Sequence, residues 1–170
     1  MKLGICNELF VNWPWEKLCD FIRSLGYQGI EVAPFTLADR VESITAHQRA
    51  ALRESAESRG LEIIGLHWLL MKPPGLYITH PDAGIRRETA RYFVELVGLC
   101  ADLGGKVMVI GSPKQRNLLP GVKREQAMGY AAEVFTPCLE LAGKRGVTLA
   151  IEPLSTRETD FLMCASDAVE

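Results

Sequence analysis

The sequence predicts an α/β fold of parallel strands, and three observations carry it. Four helical segments each close on a glycine, and each of those glycines opens a short apolar run. Polar residues stand where the runs end. Helical and extended periodicities alternate along the chain, the pattern of βα units whose crossover helices keep the strands parallel.

The first run is Lys2-Leu-Gly-Ile-Cys6. Leu25-Gly26 then leads into Gly29-Ile-Glu-Val-Ala33, and Arg59-Gly60 leads into Leu61-Glu-Ile-Ile-Gly-Leu-His67. Leu103-Gly104-Gly105 opens Lys106-Val-Met-Val-Ile-Gly111, and Arg145-Gly146 opens the run from Val147 to Glu152. Glycine after a helix accepts the left-handed conformation that ends it, so these are helix stops of one kind. Five strands follow. Among the helices, Pro14 suits a first turn, and Leu18, Phe21, Ile22 and Leu25 recur at helical spacing. Thr45 with Gln48 makes a capping box for a helix reaching about Arg59. Asp82 caps a longer helix to Leu103, with Ala90, Phe93, Val97, Cys100 and Ala101 on its inner face. The fourth runs from about Lys123 to Lys144, and Pro137 is expected to kink it near Glu133. A fifth begins around Ser166 and is cut off at Glu170.

Composition narrows the class. A hydrophobic fraction of 48% supports one globular domain over residues 1–170. A formal net charge of -2 offers no basic field for a phosphate backbone, so no nucleic-acid partner is expected. No run resembles a signal peptide or reaches membrane-spanning length, so no membrane partner is expected and the location read is cytoplasmic. The five cysteines are scattered and never in C-x-x-C spacing, which reads as small structural thiols in a reducing compartment, without disulfides or a Cys-based zinc site.

The most informative segment is Leu149-Ala-Ile-Glu152-Pro-Leu, with Glu158 six residues beyond the first acid. Val147, Leu149 and Ile151 alternate as in a buried strand. Pro153 cannot donate to a ladder, so the strand stops and leaves Glu152 at its C-terminal tip, where α/β folds bind ligands and metals. The first strand-to-helix turn, Cys6 to Pro14, lacks G-x-G-x-x-G, and no phosphate-loop pattern occurs. Asn7 and Glu8, Glu31, His67, Ser112 and Glu152 instead end successive strands, as in the active site of a (β/α)8 barrel. At about 34 residues per unit, eight units need roughly 270 residues, within the usual barrel range. The chain therefore reads as a partial (β/α)8 TIM barrel, its first five βα units, or about five-eighths of the whole.

Ile151-Glu-Pro-Leu-Ser-Thr-Arg-Glu-Thr-Asp-Phe161-Leu resembles the fifth-strand motif of the sugar phosphate isomerase/epimerase family, xylose-isomerase-like TIM barrels that include ketose 3-epimerases. Gly65-Leu-His67-Trp and Gly111-Ser-Pro-Lys-Gln-Arg-Asn117 are similar to third- and fourth-strand segments there, and the resemblance spans essentially all 170 residues. It implies that Glu152 is a metal-binding glutamate that also moves a proton at the substrate carbon. It implies that Glu158 contacts the sugar near its carbonyl end and that His67 faces the pocket. Ser155 stands where the family commonly has asparagine, and Thr156-Arg157 replaces a frequent Arg-aromatic pair, which bears on the substrate. The family's remaining metal ligands, an aspartate, a histidine and a second glutamate, come from later strands that this chain does not contain.

The chemistry so implied has clear demands. Epimerising a carbon beside a ketone removes its proton and stabilises an enediolate, with a divalent cation polarising the oxygens and carboxylates moving the proton. Mg²⁺ or Mn²⁺ wants a near-octahedral set of donors, which one carboxylate cannot supply, so the 170 residues alone are expected to be catalytically silent.

Each residue also has a plainer reading. Glu152 could pair with a basic neighbour, and Glu158 could be a solvated loop acid. His67 is either a substrate contact or a hydrogen-bonded supporting histidine; Glu31 is either a substrate-binding pocket acid or half of an ion pair. The apolar stretch Trp68 to Tyr77 reads as a lid or a subunit contact, Lys114 to Asn117 as solvated, and His47 and His80 as surface residues. The function expected is a metal-dependent isomerase or epimerase of a small sugar, as a homo-oligomer; a polypeptide of 170 residues alone is expected to associate through its open sheet edge or exposed barrel interior. An inositol or keto-acid dehydratase or isomerase, or a non-catalytic half-barrel module, are the alternatives. A nuclease of this architecture needs several zinc-binding histidines, and three histidines with a negative charge argue against it.

Overall fold

In a computed structural model that describes residues 1–169, five strands form one sheet in the order β1-β2-β3-β4-β5, every neighbouring pair parallel. The strands are β1 (Gly4–Cys6), β2 (Gly29–Val32), β3 (Glu62–Leu66), β4 (Val107–Ile110) and β5 (Thr148–Ile151). The helices between them are α1 (Trp15–Ser24), α2 (Ala46–Ser58), α3 (Ala83–Asp102) and α4 (Arg124–Arg145), with a short α5 (Ala165–Val169) after the last strand. Glu170, where the fifth predicted helix was cut off, lies outside the described residues. All five predicted strands occur, and sequential order with parallel pairing is how successive βα units wind a barrel wall. No helix is long and apolar enough among the described residues to cross a membrane.

The predicted punctuation operates as read. Gly26, Gly60, Gly104 and Gly146 all carry positive φ, between 65° and 88°, a region that costs other residues strain. Thr45 accepts from the Gln48 amide while the Gln48 side chain accepts from Thr45, completing the capping box, and Asp82 accepts from Gly84. Pro137 lies within α4, which continues through it as a single helix. Pro137 lacks an amide for the Glu133 carbonyl, but the rest of α4 is packed: Phe135 meets Phe93 of α3 edge-on at 5.1 Å. Arg86 of α3, its ion pair to Glu133 at 2.8 Å, also lies 4.0 Å over the Tyr130 ring.

The core lies between sheet and helices. Ile30, Val32, Leu66, Met108 and Ile110 point outward from the sheet and are buried against Ile22, Phe93, Leu96, Val134 and their neighbours. On α1 the predicted stripe divides: Leu18 and Ile22 are buried, whereas Phe21 stays partly exposed and stacks with Phe10 and Trp13 of the β1–α1 loop. The inner face is filled differently. Ile64 lies over Gly4 and Gly29, where an added Cβ would come within 2.4 and 2.5 Å of its Cδ1. Gly65 has the least room of all, because a Cβ there would lie 1.9 Å from the Val107 carbonyl oxygen. Backbone cannot step aside as a side chain tip can. Gly65→Ala is therefore expected to pry β3 from β4 and cost about 3 kcal/mol. Urea denaturation checks this, and an unchanged midpoint would contradict the close approach.

Candidate active site

Parallel register brings three side chains together at the C-terminal end of the sheet. Cys6, the last residue of β1, pairs with Glu31 of β2. Between Ile30 and Glu31 the register with β3 shifts, so that Ile30 faces Ile63 but Glu31 faces Gly65. The extra residue, Ile64, resets the alternation of β3. Leu66 then points to the helices, fully buried, and His67 points to the inner face beside Glu31. Without the bulge, His67 would turn toward the helices.

Glu152 reaches the same place from the other side. Its backbone amide donates to the Ile110 carbonyl at 3.1 Å, continuing the β4–β5 ladder past the end of the strand. Its carboxylate leans across the end of β4, where residue 111 has no side chain; a Cβ on Gly111 would lie 2.4 Å from Glu152 Oε2. The imidazole of His67 thus sits between two acids. Its Nδ1 lies 3.5 Å from Glu31 Oε2 and its Nε2 lies 3.5 Å from Glu152 Oε2. Side-chain exposures of 25% for His67, 31% for Glu31 and 37% for Glu152 leave the group open to a small ligand.

The electrostatics follow. The Cys6 sulfur and the Glu31 carboxylate bond to the ring, and with the charges of Glu31 and Glu152 they outweigh burial, raising the His67 pKa from 6.5 to about 10. A pKa raised on folding stabilises the fold fully below the unfolded value and loses that contribution as pH rises through the folded one. In metal-free protein, stability should therefore decline between pH 6.5 and about 10. His67→Gln should flatten that slope, and denaturant titrations across this range check it.

Arg116 supports the site and corrects the reading of Lys114 to Asn117 as a solvated loop. It is only 1% exposed. Its Nη1 donates to the carbonyls of Ile110 at 3.3 Å and Glu152 at 2.9 Å, and its Nη2 donates to Leu162 at 3.2 Å. Burial lowers the Arg116 pKa, with the charges of Glu152 and Glu158 opposing that. Asn117 is engaged as well, accepting from Thr159 at 2.8 Å. At the other end, buried Asn7 donates to Thr36 and accepts from the Ala33 amide, tying the ends of β1 and β2. Trp68 and Ser112, next after His67 and Gly111, hold left-handed conformations with φ of 56° and 40°. Strain in such residues is retained where the chain must turn sharply at a site.

Other expected residues fall elsewhere. Glu158 accepts from the backbone amide and hydroxyl of Ser155, at 3.3 and 2.8 Å, closing its own turn. The stretch from Trp68 to Tyr77 is anchored, with Leu69, Leu70 and Leu76 buried and only Trp68 and Met71 left as exposed large apolar residues. Tyr92 donates to the Lys72 carbonyl, and Tyr77 donates to that of Asn117. His47 is exposed, while half-buried His80 accepts from the Asp82 amide. Cys6 was read as structural and stands within the site; no spacing rule distinguishes it from Cys19, Cys100 or Cys138, which are fully buried. Beside Asn7, a cleft of about 460 Å³ is lined by Phe10, Trp13, Trp15, Phe35 and Lys72.

Acids and an imidazole gathered at the C-terminal strand ends of a sequentially wound parallel sheet define a TIM-barrel type of site. The chain belongs to the xylose isomerase-like TIM barrel family, whose model matches residues 19–170. Among solved structures it is similar to a D-psicose 3-epimerase crystallised with D-fructose, at TM-score 0.80 and 19% identity. It is also similar to 3-keto-D-glucoside 4-epimerase from E. coli (TM-score 0.76, 15% identity) and to an L-ribulose 3-epimerase (TM-score 0.76, 18% identity). In each case 99% of this chain is covered, against 58%, 62% and 55% of the other, so it spans little more than half their length. No curated protein matches.

Proposed function

We propose that residues 1–170 are one domain, the N-terminal five-eighths of a divalent-metal-dependent isomerase or epimerase of a small sugar, which acts by proton abstraction next to a carbonyl. The observation that carries this reading is the placement of Glu152: a strand-end carboxylate, partly open, in a space that a side chain at position 111 would fill. A hard oxygen donor so placed fits Mn²⁺ or Mg²⁺ as one ligand of several, so the site within these residues is incomplete. Glu152 would hold the ion, which when bound polarises the sugar carbonyl.

The remaining work falls to the chain itself. Glu152 takes the proton from the carbon beside the carbonyl, and Arg116 fixes its backbone during that transfer. His67, held between Glu31 and Glu152, lines the pocket wall that the sugar meets. Glu158 swings from its turn with Ser155 to meet the carbonyl end of the sugar. The aromatic cleft beside Asn7 offers flat faces to a sugar ring. Similarity to three sugar epimerases supports the substrate class. Scattered cysteines, never in C-x-x-C spacing, support a reducing, cytoplasmic setting. For a polypeptide of these 170 residues alone, the edges of β1 and β5, each with one partner in the described sheet, would support self-association.

The test is to incubate the whole protein with a panel of ketoses and keto sugars, with Mn²⁺ or Mg²⁺ and with chelator. Metal-dependent appearance of an epimer or isomer is expected. No conversion across the panel contradicts the reading.

A further inference from the structure

We propose that Cys6, Glu31 and His67 form a thiolate–carboxylate–imidazole site for a zinc-class divalent ion, with Glu152 steadying the imidazole from its far side. The sulfur of Cys6, a carboxylate oxygen of Glu31 and a ring nitrogen of His67 all lie within 4.8 Å of one another. They come from three adjacent strands, and register rather than chance side-chain reach brings them together, since Cys6 and Glu31 are direct partners and the β3 bulge turns His67 onto their face.

The spacing suits a small tetrahedral ion. Bonds of about 2.0–2.2 Å hold nitrogen and oxygen ligands roughly 3.3–3.5 Å apart, and His67 Nδ1 lies 3.5 Å from Glu31 Oε2. The sulfur has to close by at most about 1 Å to take its own longer bond. The far side of the ring is equally suited. A metal-bound histidine ordinarily donates its other ring N–H to a carboxylate, and His67 Nε2 faces Glu152 Oε2 at 3.5 Å.

The donor types decide the ion. A thiolate with an imidazole selects zinc-class ions over Mg²⁺ and Mn²⁺, which prefer oxygen. This site is therefore separate from the Glu152-centred ion proposed above and does not rest on the sugar chemistry. Three protein ligands leave a fourth position open, where a water or a sugar hydroxyl binds. The partial exposure of all three residues gives that position access to solvent.

Cobalt(II) alone, added to the chelator-stripped full chain, tests the site. One equivalent should produce a near-ultraviolet thiolate-to-cobalt band and the strong visible absorption of tetrahedral cobalt, both displaced by Zn²⁺. Cys6→Ser should abolish the near-ultraviolet band, and Glu31→Gln or His67→Gln should weaken binding at least about 10-fold. Glu152→Gln should weaken it by about 10–100-fold yet keep the band. Survival of the band in that variant shows that the thiolate-bound ion does not need the Glu152 carboxylate as a ligand. Cys164→Ser, at an exposed thiol, should change nothing. No thiolate band in the unmodified chain, or a band that survives Cys6→Ser, overturns the proposal. Should Cys6→Ser fail to fold, alkylation of the unmodified chain decides. Zn²⁺ should protect Cys6 and leave Cys164 reactive, and equal labelling of Cys6 with and without Zn²⁺ overturns the site.

Discussion

Glu152→Gln in the whole protein is expected to lower turnover by about 10³-fold or more while leaving the fold in place. The substitution keeps the shape of the side chain, so the packing across Gly111 is unchanged. It removes the charge, and with it both the base and a metal ligand. The Glu152 amide stays held by the Ile110 carbonyl, so the strand end keeps its place in the variant. Glu31 faces the other nitrogen of the His67 ring. Steady-state turnover with the substrate identified from the panel, beside a thermal melt, checks the prediction. Near-normal turnover would refute the role given to Glu152.

Arg116→Met should have the largest effect on stability. The methionine retains much of the stem but leaves the carbonyls of Ile110, Glu152 and Leu162 without this donor in a buried place. Losing a buried, charged hydrogen-bonding group costs about 3–5 kcal/mol. At this chain length that corresponds to a fall in Tm of roughly 10 °C. Lys114→Met, two residues away and exposed, should stay within about 0.5 kcal/mol of the parent. A Tm for Arg116→Met indistinguishable from that of Lys114→Met would show that the three carbonyls do not depend on the guanidinium.

The two residues also mark where sequence reading reached and where it stopped. Glu152 was legible because its position is written locally: an alternating apolar run, an acid, then a proline that ends the ladder. The glycine stops, the capping box at Thr45 and the five strands were legible for the same reason, since each rests on neighbours within a few residues. His67 and Glu31 were found as strand-end polar residues, but their meeting depends on the bulge at Ile64, which no residue type announces. Cys6 joins them by pairing across strands, a relation invisible in a scattered set of cysteines. Arg116 sits in a polar run, Lys114 to Asn117, that has the composition of a solvated loop; its three acceptors come from residues 110, 152 and 162. Pro137 was read locally too, and α4 continues through it with its flanking turns held by packing and an ion pair. Apolar loop residues 68–77 were recognised as unusual, but burial of Leu69, Leu70 and Leu76 in the core explains their character without a lid.

Glu152 is proposed to remove a proton from the carbon beside a sugar carbonyl, and solvent isotope incorporation addresses that step directly. Conversion in D₂O by the whole protein, with its metal, should place deuterium at the isomerised or epimerised carbon, and Glu152→Gln should suppress conversion and labelling together. Product formed without solvent deuterium at that carbon, or labelling undiminished in Glu152→Gln, would contradict it.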